Sequence, residues 1–219
     1  MAENAFTVIR FLHITAGTVA LCCGCLAILT RSRTSIHRPF GTAYFWSMTC
    51  IFASAVYMAV VKYNVFLFCV SFFTYYSCLS AYRALRLKKL HLNQKPETFD
   101  WLIELFFGSM HLLISGFAVY QMFRHEYTLA MISGFFGIIG IRGNWNTLNR
   151  FSKKPENKSH WLKAHIGGML GSYIGTITAF TVNNAGRIPL PDIILWLGPT
   201  VLLLPFMILE IRKQTLTAE

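Results

Sequence analysis

Four histidines lie in or beside long apolar segments of the chain, where an ionisable side chain is costly and usually has a function. They are His13, His37, His111 and His165. An imidazole nitrogen in such a place can ligate a haem iron, hold a divalent metal ion or carry a proton. These residues are therefore the first candidates for a cofactor site or a proton site.

Each of the four histidines shares a helical face with small or polar residues. Such faces let membrane helices pack closely and form hydrogen bonds between helices. A single histidine there can be a packing residue, but four together favour a function. We expect leucine at Gly17 or Gly24 to disturb this packing. The remaining members of the faces are Arg10, Gly17, Ala20 and Gly24 around His13, Gly41 and Tyr44 after His37, Glu104, Gly108, Ser115 and Ala118 around His111, and Gly168, Ser172, Gly175, Thr176 and Ala179 after His165.

Three kinds of chemistry use inward-facing histidines of this kind. The first is b-type haem, held by imidazoles from facing helices, with small residues making room for the flat ring. The second is a divalent metal such as zinc, held by His37, His111 and His165 with Glu104 or a bound water as base. The third is a proton or quinone site without metal. A chain with no cofactor would instead be a non-catalytic membrane subunit, and enzymatic activity is left open.

The depth of each histidine limits which of them can share one iron. Two ligands of one iron must lie at the same depth in the membrane. His37 and His165 both fall near the same predicted membrane face, so they are the pair that best meets this requirement. His111 lies about 11 residues, or roughly 16 Å, into its segment. Its pairing with His13 would require tilted helices.

His160 and His165 cannot serve one metal from a regular helix. They are five residues apart, which is about 140° around an α-helix. Only His165 continues into the face of Gly168 and Ser172. We therefore predict that His165 is a ligand or a buried proton-handling group and that His160 is a solvated residue at the rim.

The elements that position these residues are seven apolar segments. The chain is 54% hydrophobic and 13% charged, against about 25% charge in a soluble domain. Segments of this length can cross a hydrocarbon layer of ~30 Å. The sequence predicts an all-α transmembrane bundle as one integral membrane domain over residues 1–219. Its predicted helices are 6–29, 40–61, 64–82, 100–123, 127–141, 161–182 and 190–211.

The basic residues predict the orientation of the chain. Most of the 20 lysines and arginines fall in or beside the connections after predicted helices 1, 3 and 5 and after helix 7. Basic connections stay cytoplasmic, so we predict an external amino terminus and an internal carboxyl terminus in the inner (cytoplasmic) membrane. The net charge of +11 thus reflects topology, and we expect no nucleic-acid partner. The expected partners are the lipid bilayer, a quinone, and other membrane subunits or further copies of the chain.

These residues resemble a bacterial family of predicted multi-pass membrane proteins of unknown function. Its members carry H-x-x-x-G in the first helix and HR-x-x-G-x-x-Y at the start of the second, here HITAG (13–17) and HRPFGTAY (37–44). The stretch WLKAHIGGMLGSYIGTITAF (161–180) resembles the late helix of that family. The resemblance covers residues 6–185. The family is distantly similar to four-histidine b-type cytochromes of the cytochrome b561 type, which implies haem b and electron transfer with membrane quinol.

Overall fold

The computed structural model describes residues 2–216, apart from the side chains of Ala2, Phe66, Asp192 and residues 214–216. Every regular element in this part of the chain is helical, as the sequence predicted, and the seven long helices are confirmed. Short 3₁₀ turns at Leu90–Leu92 and Ala185–Arg187 precede α4 and α7. The helices are α1 (Ala2–Leu29), α2 (Thr34–Val61), α3 (Val65–Ala84), α4 (Thr98–Phe123), α5 (Tyr127–Ser152), α6 (His160–Asn183) and α7 (Asp192–Leu216).

The largest differences from the predicted helix boundaries are in α5 and α2. Helix α5 runs to Ser152, about three turns beyond the predicted end at residue 141. Its polar second half remains helical because Asn144 and Thr147 are buried and form hydrogen bonds within the protein. Helix α2 begins at Thr34 rather than at residue 40, so His37 lies in its first turn.

Among the described residues, four helices are long and apolar enough to cross a membrane by length and composition. These spans are Glu3–Leu29, Thr34–Val61, Thr98–Phe123 and Ile193–Lys213. The predicted membrane character of the chain is therefore supported, and spans in α3, α5 and α6 stay predictions.

The chain divides into two compact units between Ser71 and Phe72. In the first unit α1 packs along α2, and the buried side of α1 includes Ala20, Gly24 and Ala27. The predicted small-residue face is therefore buried over its second half. Gly17 differs, because a Cβ added there would have no described atom within 4 Å outside its own helix. A Cβ added at Gly17 therefore causes no steric overlap, and the overpacking expected there is not found at that atom.

In the second unit the small-residue face of α6 packs against α3. A Cβ at Gly168 would lie 2.6 Å from the Cβ of Ala81, and one at Gly175 would overlap the side chain of Thr74. Ser172, between the two glycines, is fully buried. The predicted face is thus a site of close helix packing, for which glycine is required.

Glycines of α5 pack in the same way against α4. A Cβ at Gly137 would overlap Ser115, and one at Gly140 would overlap the ring of His111. Gly134 has more room, with 3.6 Å to the Cβ of Ala118. The three-residue spacing of these glycines gives α5 a groove that receives the polar side chains of α4.

The predicted orientation can be tested with reporters placed before and after α7. A reporter fused after Lys213, in the last turn of α7, should be cytoplasmic, and a reporter fused near Asn184 should be external, because the basic connections remain inside. Paired fusions with alkaline phosphatase and green fluorescent protein measure the two locations. The reverse pattern would contradict the orientation, and two signals from the same side would show that α7 does not cross.

Candidate functional site

Both candidate histidines of the first unit are held through Nδ1. His13 Nδ1 lies 2.9 Å from Ser54 Oγ, and that hydroxyl donates to the backbone oxygen of Cys50 at 2.7 Å. The Ser54 oxygen therefore accepts a hydrogen bond from the N–H at His13 Nδ1. His37 Nδ1 lies 2.9 Å from the backbone oxygen of Ala27, which can only accept. In their neutral forms both rings thus carry the hydrogen on Nδ1 and the lone pair on Nε2.

A glycine follows each of these histidines by one helical turn on the same side of its helix. A Cβ added at Gly17 or at Gly41 would have no described atom within 4 Å outside its own helix. Arg10 near His13 is exposed, and Tyr44 after His37 is buried. Each imidazole contacts the other helix of the first unit, whereas the glycine one turn later makes no close contact at its Cβ position.

His165 in the second unit is held in the same manner. Its Nδ1 lies 3.1 Å from the backbone oxygen of Ala81 on α3, so it too donates from Nδ1 and carries the lone pair on Nε2. The ring is half-buried. The role predicted for His165 stays a prediction. The prediction that His160 is solvated is wrong, because His160 is buried. His91, in the 3₁₀ turn before α4, contacts His160 edge-on with ring centroids 5.8 Å apart.

His111 lies in a buried network between α4 and α5. It is fully buried, and its Nδ1 lies 2.7 Å from Asn144 Oδ1. Asn144 Nδ2 donates to Glu104 Oε2 at 2.8 Å, which leaves its oxygen to face the histidine. His111 Nε2 is buried and has no hydrogen-bond partner among the described residues.

Helices α3 and α5 extend this network around the carboxyl group. The hydroxyl of Tyr76 donates to Glu104 Oε2 at 2.8 Å and lies 3.3 Å from Thr147 Oγ1. Arg150 Nη2 donates to the same threonine oxygen at 3.1 Å. We call these residues the α3–α5 network, and its members are Tyr76, Glu104, His111, Asn144, Thr147 and Arg150.

A second charged cluster lies at the start of α4. Arg83 Nε donates to Asp100 Oδ1 at 2.6 Å, and Arg83 Nη2 donates to Glu97 Oε2 at 2.9 Å. The other oxygen of Asp100 accepts the backbone N–H of Glu97 at 2.8 Å, which completes a capping box at the amino terminus of α4. Asp100 is therefore held both as an ion-pair partner and as a helix cap.

A small cavity joins the charged cluster to the α3–α5 network. It has room for about one water molecule. Its wall includes Ser80, Arg83, Asp100, Glu104, Thr147 and Arg150. Polar and charged groups from three helices therefore meet around a space of water size, which fits exchange of a water or a proton.

Sequence reasoning missed most of the α3–α5 network. It identified His111, Glu104 and Ser115, and Ser115 Oγ donates to the backbone oxygen of His111. It did not identify Asn144, because the segment after residue 141 was interpreted as a connection. It did not single out Tyr76, which lies in an apolar helix without a histidine. The available signal was the spacing of glycines at 134, 137, 140 and 143, which marks a packed helical face that leads to Asn144.

The predicted metal trio is not brought together in the described part of the chain. No group of three or more histidine, cysteine, aspartate or glutamate side chains among the described residues is placed to hold a metal ion. A metal site formed by His37, His111 and His165 stays a prediction.

Comparison with known proteins adds one finding. A family model described as "Predicted membrane protein (DUF2306)" matches residues 10–139. No curated protein and no solved structure matches the chain. The matched region includes His13, His37 and His111 and ends before α6, which carries His165.

Proposed function

The chain belongs to the DUF2306 family of predicted membrane proteins, and we propose that it binds b-type haem in the cytoplasmic membrane and transfers electrons there. The ligand atoms in this proposal are Nε2 of His13, His37 and His165. Membrane quinol is the proposed electron donor. The family supplies the membrane location in general terms, and the histidine geometry supplies the support for haem.

The observation that carries the proposal is the use of Nδ1 by three half-buried histidines in long helices; His91 and His125 are also held through Nδ1, but they lie in the connections before α4 and before α5. All three histidines lie with Nδ1 within 3.1 Å of an oxygen that accepts a hydrogen bond. Metal-ligating histidines almost always donate their other ring N–H to such an oxygen, which fixes the tautomer and the ring orientation. Here the accepting oxygens are the Ala27 and Ala81 carbonyls and the Ser54 hydroxyl. Each ring is therefore prepared to present Nε2 to an iron.

The glycines beside the histidines support a flat ligand rather than helix packing. Gly168 and Gly175 are in close contact with α3, which explains why glycine occupies those positions. Gly17 and Gly41 have no comparable contact, so close packing does not explain them. An absent side chain one turn from an imidazole leaves room for the edge of a macrocycle.

His111 is left out of the proposed ligand set. Its ring is fully buried, lies against Gly140 and makes an edge-on contact with Tyr76 at 5.2 Å between centroids. A macrocycle at Nε2 would have to displace these residues. We assign His111 to the α3–α5 network instead.

A bound haem would supply a one-electron carrier within the apolar bundle. The chain's own part is to hold the imidazoles at fixed angles. The oxygens of Ser54, Ala27 and Ala81 accept hydrogen bonds from the three rings and so hold them in place. Hydrogen bonding at Nδ1 would raise the basicity of Nε2 and strengthen its bond to an iron.

The ligand assignment is tested by removing one imidazole at a time. His13→Ala, His37→Ala and His165→Ala should each lose or shift the Soret band, because each removes a proposed axial bond. His125→Ala is the matched control, since His125 is exposed in the connection between α4 and α5 and should leave the spectrum unchanged.

The readouts are absorption spectra and the haem content of the purified variants, with size-exclusion chromatography as the check on folding. If all three folded variants retain the wild-type spectrum and haem content, these histidines are not the ligands. If the wild-type protein binds no haem, the alternative of a non-catalytic membrane subunit takes precedence.

A further inference from the structure

We propose that Glu104 and His111 form an intramembrane proton-binding site that exchanges protons with water through the cavity beside Asp100. Asn144 is its positioning residue. The site uses α3, α4 and α5 alone and does not depend on the proposed haem ligands.

One nitrogen of His111 is buried without a hydrogen-bond partner among the described residues. Buried polar atoms in proteins nearly always have a hydrogen-bond partner, and an exception requires a reason. His111 Nε2 has none among the described residues, although the ring is fully buried. Because Nδ1 donates to Asn144, this nitrogen carries the lone pair and is a base.

Glu104 is hydrogen-bonded within the same network as His111. Its Oε2 accepts hydrogen bonds from Asn144 Nδ2 and from the Tyr76 hydroxyl, both at 2.8 Å. The side chain is buried, and an intramembrane carboxyl group usually marks a proton or ion pathway. In this network Asn144 therefore bridges a carboxylic acid, Glu104, and a base, His111.

Asn144 can serve both protonation states of the pair. It accepts from His111 Nδ1, which carries a hydrogen in the neutral ring and in the imidazolium. It donates to Glu104, whose oxygens accept in the acid and in the carboxylate. One proton can then reside on a Glu104 oxygen with neutral His111, or on His111 Nε2 with the Glu104 carboxylate. In either form the pair has no net charge.

The charged groups around the pair are few and come from all three helices. Tyr76 and Arg83 lie on α3, Asp100 lies on α4 and Arg150 lies on α5. Arg83 is neutralised by its ion pairs at the start of α4. Arg150 donates to Thr147 and lines the cavity with Glu104, where it can balance a carboxylate.

The cavity supplies the route for protons. Asp100 and Glu104 are one helical turn apart on α4, and both line the same space of water size. At its other side Arg83 is bonded to Glu97, whose side chain is 66% exposed. A water in the cavity would therefore connect the buried carboxyl group to the charged cluster at the exposed end of α4.

Infrared difference spectroscopy of the full-length protein in lipid tests this proposal. The spectrum at acid pH minus that at alkaline pH should show the C=O stretch of a buried protonated carboxyl group. Glu104→Gln should remove that band, and Glu126→Gln should keep it, because Glu126 is exposed in the connection before α5. Glu104→Asp should shift the band, which covers the case in which the glutamine variant does not fold.

Two further variants separate proton binding by Glu104 and His111 from proton exchange through the cavity. Asn144→Leu should change the pH at which the band appears, since it removes a hydrogen bond to Glu104 and one to His111. Ser80→Leu fills the cavity and should slow the band's shift on transfer to D₂O while leaving the band present. The proposal is overturned if the wild-type protein shows no such band, or if Glu104→Gln retains it and Glu104→Asp leaves it unshifted. These readouts report a carboxyl group and are independent of haem content.

Discussion

Gly137→Ala is expected to destabilise the protein by about 1–3 kcal/mol, the usual cost of an extra methyl group in a packed core. A Cβ at Gly137 would overlap Ser115 Oγ and lie 2.9 Å from the Ser115 backbone nitrogen. A side-chain atom could rotate away, but the backbone of α4 can move only if the helix shifts. The substitution should therefore separate α4 from α5 and weaken the contact between His111 and Asn144.

Gly134→Ala is the matched control for this effect. Gly134 lies one turn earlier on the same face of α5, and a Cβ there would be in ordinary contact with Ala118 at 3.6 Å. Alanine has the higher helix propensity by about 1 kcal/mol, so this variant should be neutral or slightly stabilised. Unfolding in mixed detergent micelles gives both free energies. Equal values for the two variants would show that α4 and α5 do not pack as described.

Asp100→Leu is expected to destabilise the protein by about 3–5 kcal/mol, the range found when one partner of a buried ion pair is removed. The Asp100 side chain is 1% exposed and its partner Arg83 is 10% exposed. Without the carboxylate, the arginine retains its bond to the exposed Glu97 and its contact over the Phe99 ring at 5.5 Å. The same change removes the acceptor for the Glu97 backbone N–H and opens the cap of α4.

Glu97→Gln is the control at the same cluster. The Glu97 side chain is 66% exposed, and exposed ion pairs contribute at most about 1 kcal/mol. Glutamine also keeps an oxygen that can accept from Arg83. The loss in free energy of unfolding should therefore be at least about three times larger for Asp100→Leu than for Glu97→Gln. Similar losses for both would mean that the ion pair is exposed in the folded protein.

The helix pattern was predictable from the sequence where apolar residues run continuously. Six of the predicted helices end within a few residues of the observed ends, and the exception is α5. Its second half contains Arg142, Asn144 and Arg150, which resemble a solvated connection in sequence. Asn144 is nevertheless buried within a helix, because Glu104 and His111 of α4 supply its hydrogen-bond partners, and a one-dimensional pattern does not contain that information.

The same limit applies to the candidate site. His13, His37 and His165 could be identified because an ionisable residue is conspicuous in an apolar run. The tautomer of each ring could not, because Ser54 and the carbonyls of Ala27 and Ala81 come from other parts of the chain. His160 was placed at the rim by its angle alone, and the segment that contains His91 buries it. The angular position of a residue around its helix can be read from the sequence, but tertiary contacts determine whether that side of the helix is buried.

The most direct test of the account is the visible spectrum of the wild-type protein, expressed with sufficient haem precursor and purified in a mild detergent. The account predicts a Soret band, a dithionite-reduced α-band typical of b-type haem, and a pyridine haemochrome that gives at least one haem per chain. A colourless, folded protein that takes up no added haem would contradict the central claim that these Nδ1-anchored histidines hold an iron.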